Sequence, residues 1–227
     1  TLSVAYRPEI LKYLELTELN TVHHIAAGQL RLDFPRTLVN LRDDFVRTSD
    51  PPNTELTGRI LSNTNTLKPD VEYRWTSRIS TGLGYEWRHV RFDEDSIGDL
   101  IDRDEHIVTG SVFWKFNPRA DIGLNYGYGR TTFETSDRDY TRHRATVSLR
   151  GDVTPKITSS LRVGYEWREP DRSDQESGNS LFLGGDISYR PTDRTQLTLM
   201  VDRSMQESTF ATTTFYTYPL VPRLATA

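Results

Sequence analysis

Along most of this chain hydrophobic and polar side chains alternate with a period of two. Between Ile79 and Arg88 the residues Ile79, Thr81, Leu83, Tyr85 and Trp87 fall on one face, and Ser80, Gly82, Gly84, Glu86 and Arg88 on the other. Successive strand side chains point to opposite sides of a sheet, so this segment has one apolar and one polar face. The same grammar sets Val108, Gly110, Val112, Trp114 and Phe116 against Thr109, Ser111 and Lys115, and Ile122, Leu124, Tyr126 and Tyr128 against Asp121, Gly123, Asn125 and Gly127. It returns in three further segments, around Val147, Val163 and Leu183. Period-two counting predicts strands over about 2–16, 22–34, 37–48, 56–75, 79–93, 104–116, 120–134, 140–153, 157–170, 178–190, 195–208 and 212–226. Within the first, Glu9 to Leu16 also fits an amphipathic helix with Ile10, Tyr13 and Leu14 on one side. The strand-like flanks favour a strand running through it, with Pro8 at an edge, a bulge or an end.

The punctuation between these segments is periodic. Short turn signals beside a basic residue occur at Phe34-Pro35-Arg36, Thr76-Ser77-Arg78, Asn117-Pro118-Arg119, Thr154-Pro155-Lys156 and Pro191-Thr192-Asp193-Arg194. The steps from Arg36 through Arg78, Arg119, Lys156 and Arg194 are 42, 41, 37 and 38 residues. A longer, more acidic break lies between successive tight turns, so the repeating unit is a long-stranded hairpin. Gly84-Tyr-Glu-Trp-Arg88 even recurs as Gly164-Tyr-Glu-Trp-Arg168, 80 residues on. Long up-and-down strands with tight turns at one end and long loops at the other predict an all-β fold. Its form is an antiparallel up-and-down transmembrane β-barrel of about 12 strands, occupying residues 1–227 as a single domain.

Composition narrows the alternatives. Mean hydropathy is −0.61 and no window approaches the run of about 18 apolar residues that a spanning helix needs. A barrel strand shows only alternate side chains to lipid, so such a value leaves a barrel untouched. The absence of cysteine removes disulfide frameworks and thiolate metal sites, and the net charge of −4 gives no reason to expect nucleic acid. Thr1 starts abruptly in a strand-like pattern with no signal peptide before it, which reads as a mature or truncated start.

The alternation fits a soluble sandwich with its apolar face inward as well as a membrane barrel with that face outward. Three features favour outward. The polar face mixes glycine with arginine and glutamate, as a crowded lumen does. The strands are about twice the usual five or six residues. Aromatics gather near strand ends, Tyr73, Trp75, Trp114, Phe116 and Tyr189 by the tight turns and Trp87, Tyr128 and Trp167 toward the long loops, as interfacial girdles do. The tight turns then face the periplasm and the long loops the exterior. The acidic loops, among them Asp93–Glu105, Glu134–Tyr140 and Glu169–Gly178, could bridge lipopolysaccharide through divalent cations, but polar loops are generically solvated and no calcium-loop spacing is present.

Catalytic candidates are weak. His89, His106 and His143 lie toward the loop ends of strands with Asp104 and Asp139 nearby in sequence, where a barrel hydrolase would keep its site; nothing beyond adjacency supports that role. No nucleophile elbow or zinc-binding helix motif occurs, and His23 and His24 point to opposite faces, which is poor geometry for chelation. No catalytic residue, metal or cofactor is therefore assigned. The polar face carries more weight. Arg59, Arg74, Arg88, Arg142, Arg144, Arg150, Arg162, Arg168, Arg190 and Lys115 are expected inward, with Glu72, Glu86, Glu166, Asp121 and Asp186. Unless Glu86, Glu166 and Asp186 match them, Arg144, Arg150, Arg162 and Arg168 form a positive patch that attracts anions. Fully matched, the same residues form a ladder that plugs a narrow barrel.

The pattern Tyr-Arg-x-Thr/Ser-x-Arg-x-Ser-x-x-Leu-Gly-Tyr-x-x-Arg, seen at Tyr73–Arg88 and in partial form at Phe116–Tyr128 and Leu149–Arg168, resembles the porin-like outer-membrane β-barrel families encoded beside bacterial exopolysaccharide synthesis and export genes. Leu11–Asn20 and Phe45–Pro51 share that look. The resemblance implies a glycan-export or porin-like role in a Gram-negative outer membrane, and with the inward arginines it gives a conduit for hydrophilic, anionic solutes or exported polysaccharide. Its partners would be outer-membrane lipid and lipopolysaccharide, a polysaccharide, and other secretion or envelope proteins. Such barrels end on an aromatic residue, whereas this chain stops at Leu224-Ala-Thr-Ala227, which leaves strand count and closure open. The competing classes are a non-conducting structural or partner-binding barrel, a barrel hydrolase and a soluble β-sandwich binding module.

Overall fold

A computed structural model describes residues 1–17, 20–50, 60–93, 101–173, 177–192, 194–207, 215–217 and 223–226. The strands are β1 (Leu2–Leu11), β2 (Thr21–Asp33), β3 (Thr37–Thr48), β4 (Ser62–Arg74), β5 (Ile79–Phe92), β6 (Arg103–Asn117), β7 (Ala120–Phe133), β8 (Tyr140–Thr154), β9 (Ile157–Pro170), β10 (Gly178–Thr192) and β11 (Thr195–Arg203). They form one antiparallel up-and-down sheet in sequence order, which the short β14 (Arg223–Thr226) extends beside β11. A separate small hairpin joins β12 (Met205–Glu207) to β13 (Phe215–Thr217). The first four expected tight turns fall where successive strands meet, and the fifth lies between β10 and β11 with Asp193 outside the described residues. No described helix is long and apolar enough to cross a membrane.

Three expectations are corrected. The first strand ends at Leu11 rather than near residue 16: its pairing with β2 stops at Leu11–Thr21, and the Tyr13 amide donates to Asn20 Oδ1 at 2.7 Å, turning the chain back. The last expected strand, 212–226, is represented among the described residues only by β13 and β14. The sheet is also not closed: β1 and β14 stand at its two edges.

The sheet nevertheless curls strongly. Arg150 on β8 donates to Glu72 on β4 at 2.8 Å. In a flat sheet strands four apart are separated by about 19 Å, far beyond the reach of these side chains. The concave face is the polar one: Glu105, Thr146, Ser148, Glu166, Arg168 and Ser180 are buried there. Outward, Leu83, Val112, Trp114 and Leu124 are more than half exposed. This inverts the ordinary arrangement of a water-soluble protein, in which polar groups are buried only when partnered and large apolar patches are hidden.

Both ends of the sheet are tied from hairpin to hairpin. At the turn end, backbone amides of Arg74, Lys115, Asp152 and Arg190 donate to carbonyls of Arg36, Arg78, Arg119 and Lys156 at 2.7–3.0 Å. At the loop end, Arg47 on β3 reaches Asp93 just after β5 at 2.8 Å, Arg91 on β5 reaches Glu134 just after β7, and Arg130 on β7 reaches Asp171 just after β9 at 2.6 Å. Each of these clasps skips the strand between. Two backbone positions have the left-handed conformation that calls for glycine, Gly151 with φ of 100° and Gly185 in β10 with φ of 128°, and a Cβ on Gly185 would lie 1.7 Å from the Ser160 carbonyl oxygen. Gly185→Ala should therefore cost about 1–3 kcal/mol, seen as an earlier urea midpoint. An unchanged midpoint would show that β9 and β10 can separate there without loss.

Candidate functional site: the concave basic wall

Alternation aims every second residue of each strand into the concavity, and the curl brings these residues from β4 to β11 within reach of one another. The result is a cavity of about 380 Å³. Lys68, Arg88, Arg103, Arg142, Arg144, Arg162 and Arg168 face it or touch its lining, against Glu86, Glu105, Glu166 and Asp202, so among the described residues seven cations meet four carboxylates. An adjoining space of about 300 Å³ shares Arg142, Arg144, Arg162 and Phe182 and adds the hydroxyls of Thr109, Ser111, Thr146, Ser148 and Ser160.

Two ion clusters organise the wall. In the first, Glu86 accepts from Lys68 at 3.2 Å and Arg88 at 3.0 Å, and the buried Glu105 lies between Arg88 at 3.6 Å and Arg103 at 2.9 Å. In the second, Glu166, whose side chain is 1% exposed, holds both Arg144 and Arg168. Arg168 Nη2 also donates to the Met205 carbonyl at 2.7 Å. Burial removes water from these charges, so each carboxylate is needed to offset the desolvation of its arginines. Further toward the turn end, Arg150 is fixed by Asp121 at 2.7 Å and Glu72 at 2.8 Å and lies 3.6 Å from the centre of the Phe113 ring.

Of the residues expected inward, Glu86, Arg88, Arg144, Arg162, Glu166 and Arg168 come together on this wall. Arg150 is drawn into the strut to β4. Arg74 pairs with Asp33 at 3.0 Å and shares a small recess beside the tight turns with Lys115. Arg190, exposed, donates to Gln196 at 3.0 Å, and Asp186 stands opposite Ser160 and Met200. Arg59 lies outside the described residues. Of the four arginines whose net charge turned on matching carboxylates, Arg144 and Arg168 pair with Glu166, and Arg150 with Asp121 and Glu72, whereas Arg162 forms no ion pair with a described residue. Sequence reasoning missed the inward Phe113 and Phe182, because a phenylalanine on the polar face breaks the alternation. Their role is to stack against guanidinium groups, Arg144 at 4.1 Å and Arg162 at 5.9 Å from the centre of the Phe182 ring.

The histidines lie elsewhere. His106 and His143 bond through Nδ1 to the hydroxyls of Tyr85 and Tyr126, at 2.6 and 2.7 Å, on the outer face. Tyr6 with His24 and Tyr165 with Asn179 repeat the same diagonal contact, each between two strands of one hairpin. This belt was legible in principle, since in each hairpin the partner lies two residues before the position opposite the tyrosine. His89 does meet Asp104, at 2.9 Å, but Arg91 Nε donates to His89 Nε2 at 3.2 Å. That bond occupies the nitrogen lone pair a general base would use. Asp139 accepts from the Phe133 amide and Arg130 rather than orienting His143.

An up-and-down sheet of eleven long strands in sequence order, apolar outside and charged within its curve, matches the strand pattern of a β-barrel porin, with its two edges left apart. A family model described as "Putative beta-barrel porin 2" matches residues 1–218, and the chain belongs to that family. No curated protein matches it.

Proposed function

We propose that the sheet closes into a transmembrane barrel in the bacterial outer membrane and acts as a porin-like conduit for hydrophilic, anionic solutes, with no catalytic role of its own. The observation that carries this reading is the inverted distribution of polarity, apolar rows outward and an excess of cations on the concave wall. Its dimensions fit. On β6, His106 in the Tyr–His belt and Phe116 near the tight turns are ten residues apart. At about 3.3 Å per residue and a tilt of about 40° that spans roughly 25 Å, the height of the apolar band of an outer-membrane barrel. Lipid and lipopolysaccharide are then its surroundings. An exported polysaccharide as cargo, with envelope proteins as partners, rests on the exopolysaccharide-linked resemblance alone.

Planar-bilayer conductance with reversal potentials in a salt gradient tests the reading. An open, anion-preferring pore is expected, and cation preference would overturn the electrostatic basis. A second reading, a plugged structural barrel, draws on the Arg150–Glu72 strut across the concavity. Closed bilayers with intact insertion would favour it. Trp87 and Trp167 fluorescence quenched by lipid-attached quenchers, and not by aqueous iodide, is expected under either reading; the reverse would return the protein to a soluble sandwich.

A further inference from the structure

We propose that the outer face carries a binding site for one phosphate-bearing membrane lipid, with an acyl chain in a furrow over Gly110 and the phosphate at His106. This rests on the membrane part of the reading above and goes beyond the conduit, since both residues belong to the outer face.

The furrow is a break in the apolar rows. Outward on β6, from the turn end, stand Phe116, Trp114, Val112, Gly110, Val108 and His106. Gly110 interrupts that run directly between Leu83 of β5 and Tyr126 of β7. Glycine weakens a strand interior and is kept where something must approach closely. Among the described residues nothing makes that demand: a Cβ on Gly110 would meet no atom within 4 Å. The space is open to the outside, about 800 Å³ walled by Leu83, Val108, Val112, Leu124 and Tyr126, and it continues past Tyr126 over the small Ala145. The strands bearing Leu83 and Tyr126 are two steps apart, about 10 Å, before their side chains narrow the gap. That admits a hydrocarbon chain but not a helix, which is about 10–12 Å across with its side chains. The flat face of a second copy would bridge the furrow without filling it.

The furrow leads to a polar end. His106 lies four residues from Gly110 on the same face. At about 3.3 Å per residue and a tilt of about 40° that is roughly 10 Å of depth, within one leaflet of a hydrocarbon core about 30 Å thick. The Tyr85 hydroxyl bonds to His106 Nδ1 at 2.6 Å. With the phenol as donor the ring proton sits on Nε2, and among the described residues no hydrogen bond reaches that nitrogen of the exposed ring. Arg130, which Asp171 holds in place, stands directly opposite on β7. Asp104, two residues further along β6, is taken up by Trp87 and His89. An N–H donor at the membrane border beside a guanidinium suits a phosphate oxygen.

Native mass spectrometry of the detergent-solubilised full chain, titrated with palmitoyl-oleoyl phosphatidylglycerol, reads the site directly. One lipid per chain is expected, bound saturably. Gly110→Leu fills the furrow and should weaken binding about tenfold, the cost of about two methylene groups of lost contact. Its thermal unfolding in detergent should stay level or rise, because a Cβ has open space there. His106→Ala should weaken the phospholipid and leave unchanged the diacylglycerol with the same chains, which is the weaker ligand of the parent protein. Ile122→Leu, on the outer face away from the furrow, should alter neither. Inorganic phosphate should not displace the lipid; displacement would show a phosphate site independent of any acyl chain and overturn the proposal. No retained lipid, retention indifferent to both substitutions, or a dimer that Gly110→Leu disperses would overturn it as well. A chain that enters vesicles and conducts but retains no lipid loses only the furrow. Failure of the folded chain to enter vesicles removes the membrane reading and the furrow together.

Discussion

Glu166→Ala should be the most damaging single substitution in the chain, lowering stability by about 3–5 kcal/mol. Glu166 is the one carboxylate that touches both Arg144 and Arg168, and its side chain is 1% exposed. Removing it takes away the oxygens that Arg144 and the buried Arg168 share, and the bond from Arg168 to the neutral Met205 carbonyl cannot offset that charge. Glu166→Gln keeps the shape and one acceptor oxygen, so a smaller loss is expected. Urea titration of protein folded into phospholipid vesicles, followed by tryptophan fluorescence, measures both. An alanine variant within about 1 kcal/mol of the parent would mean that the cluster is looser and wetter than the geometry indicates.

The second large effect distinguishes environments. Val112 is 52% exposed on the outer face of β6, between Thr81 of β5 and Leu124 of β7, near the middle of the apolar band. In water, replacing so exposed a residue by arginine changes stability by no more than about 0.5 kcal/mol. At the midplane of a bilayer the same change costs about 2–4 kcal/mol. Val112→Arg should therefore lower the stability of vesicle-inserted protein by the larger figure. An effect near zero would place this face in water and remove the membrane reading.

Much of the fold was legible because one physical pattern repeats. Turn chemistry at Pro35, Pro118 and Pro155 interrupts long strands that mostly alternate in polarity, and a register slip by one would put Leu83 and Val112 into a charged interior. The helix-compatible run after Glu9 was harder: its pattern suits either period, and what ends β1 at Leu11 is a contact with Asn20, not a local signal. The site was half legible. Alternation gave the inward direction of the arginines, but their partners depend on curvature, which no single strand encodes. Arg150 finds Glu72, 78 residues away, only because β4 and β8 curl toward one another. For the same reason Arg162, which forms no ion pair with a described residue, could not be told from its paired neighbours in the one-dimensional pattern.

The clasps along the loop end have a consequence for how such a protein can change over generations. Arg47, Arg91 and Arg130 each reach past one strand to an acidic residue that opens the loop of the following hairpin. The contact is therefore made between equivalent positions of successive copies, not between two particular partners. A duplicated or deleted hairpin still presents an arginine to whichever acidic residue comes next, so the sheet can widen or narrow by two strands at a time with its fastenings re-formed. The near copies around Tyr85 and Tyr165 lie at equivalent places of two such hairpins, so the width of the sheet follows the number of hairpins while the inner wall is free to diverge.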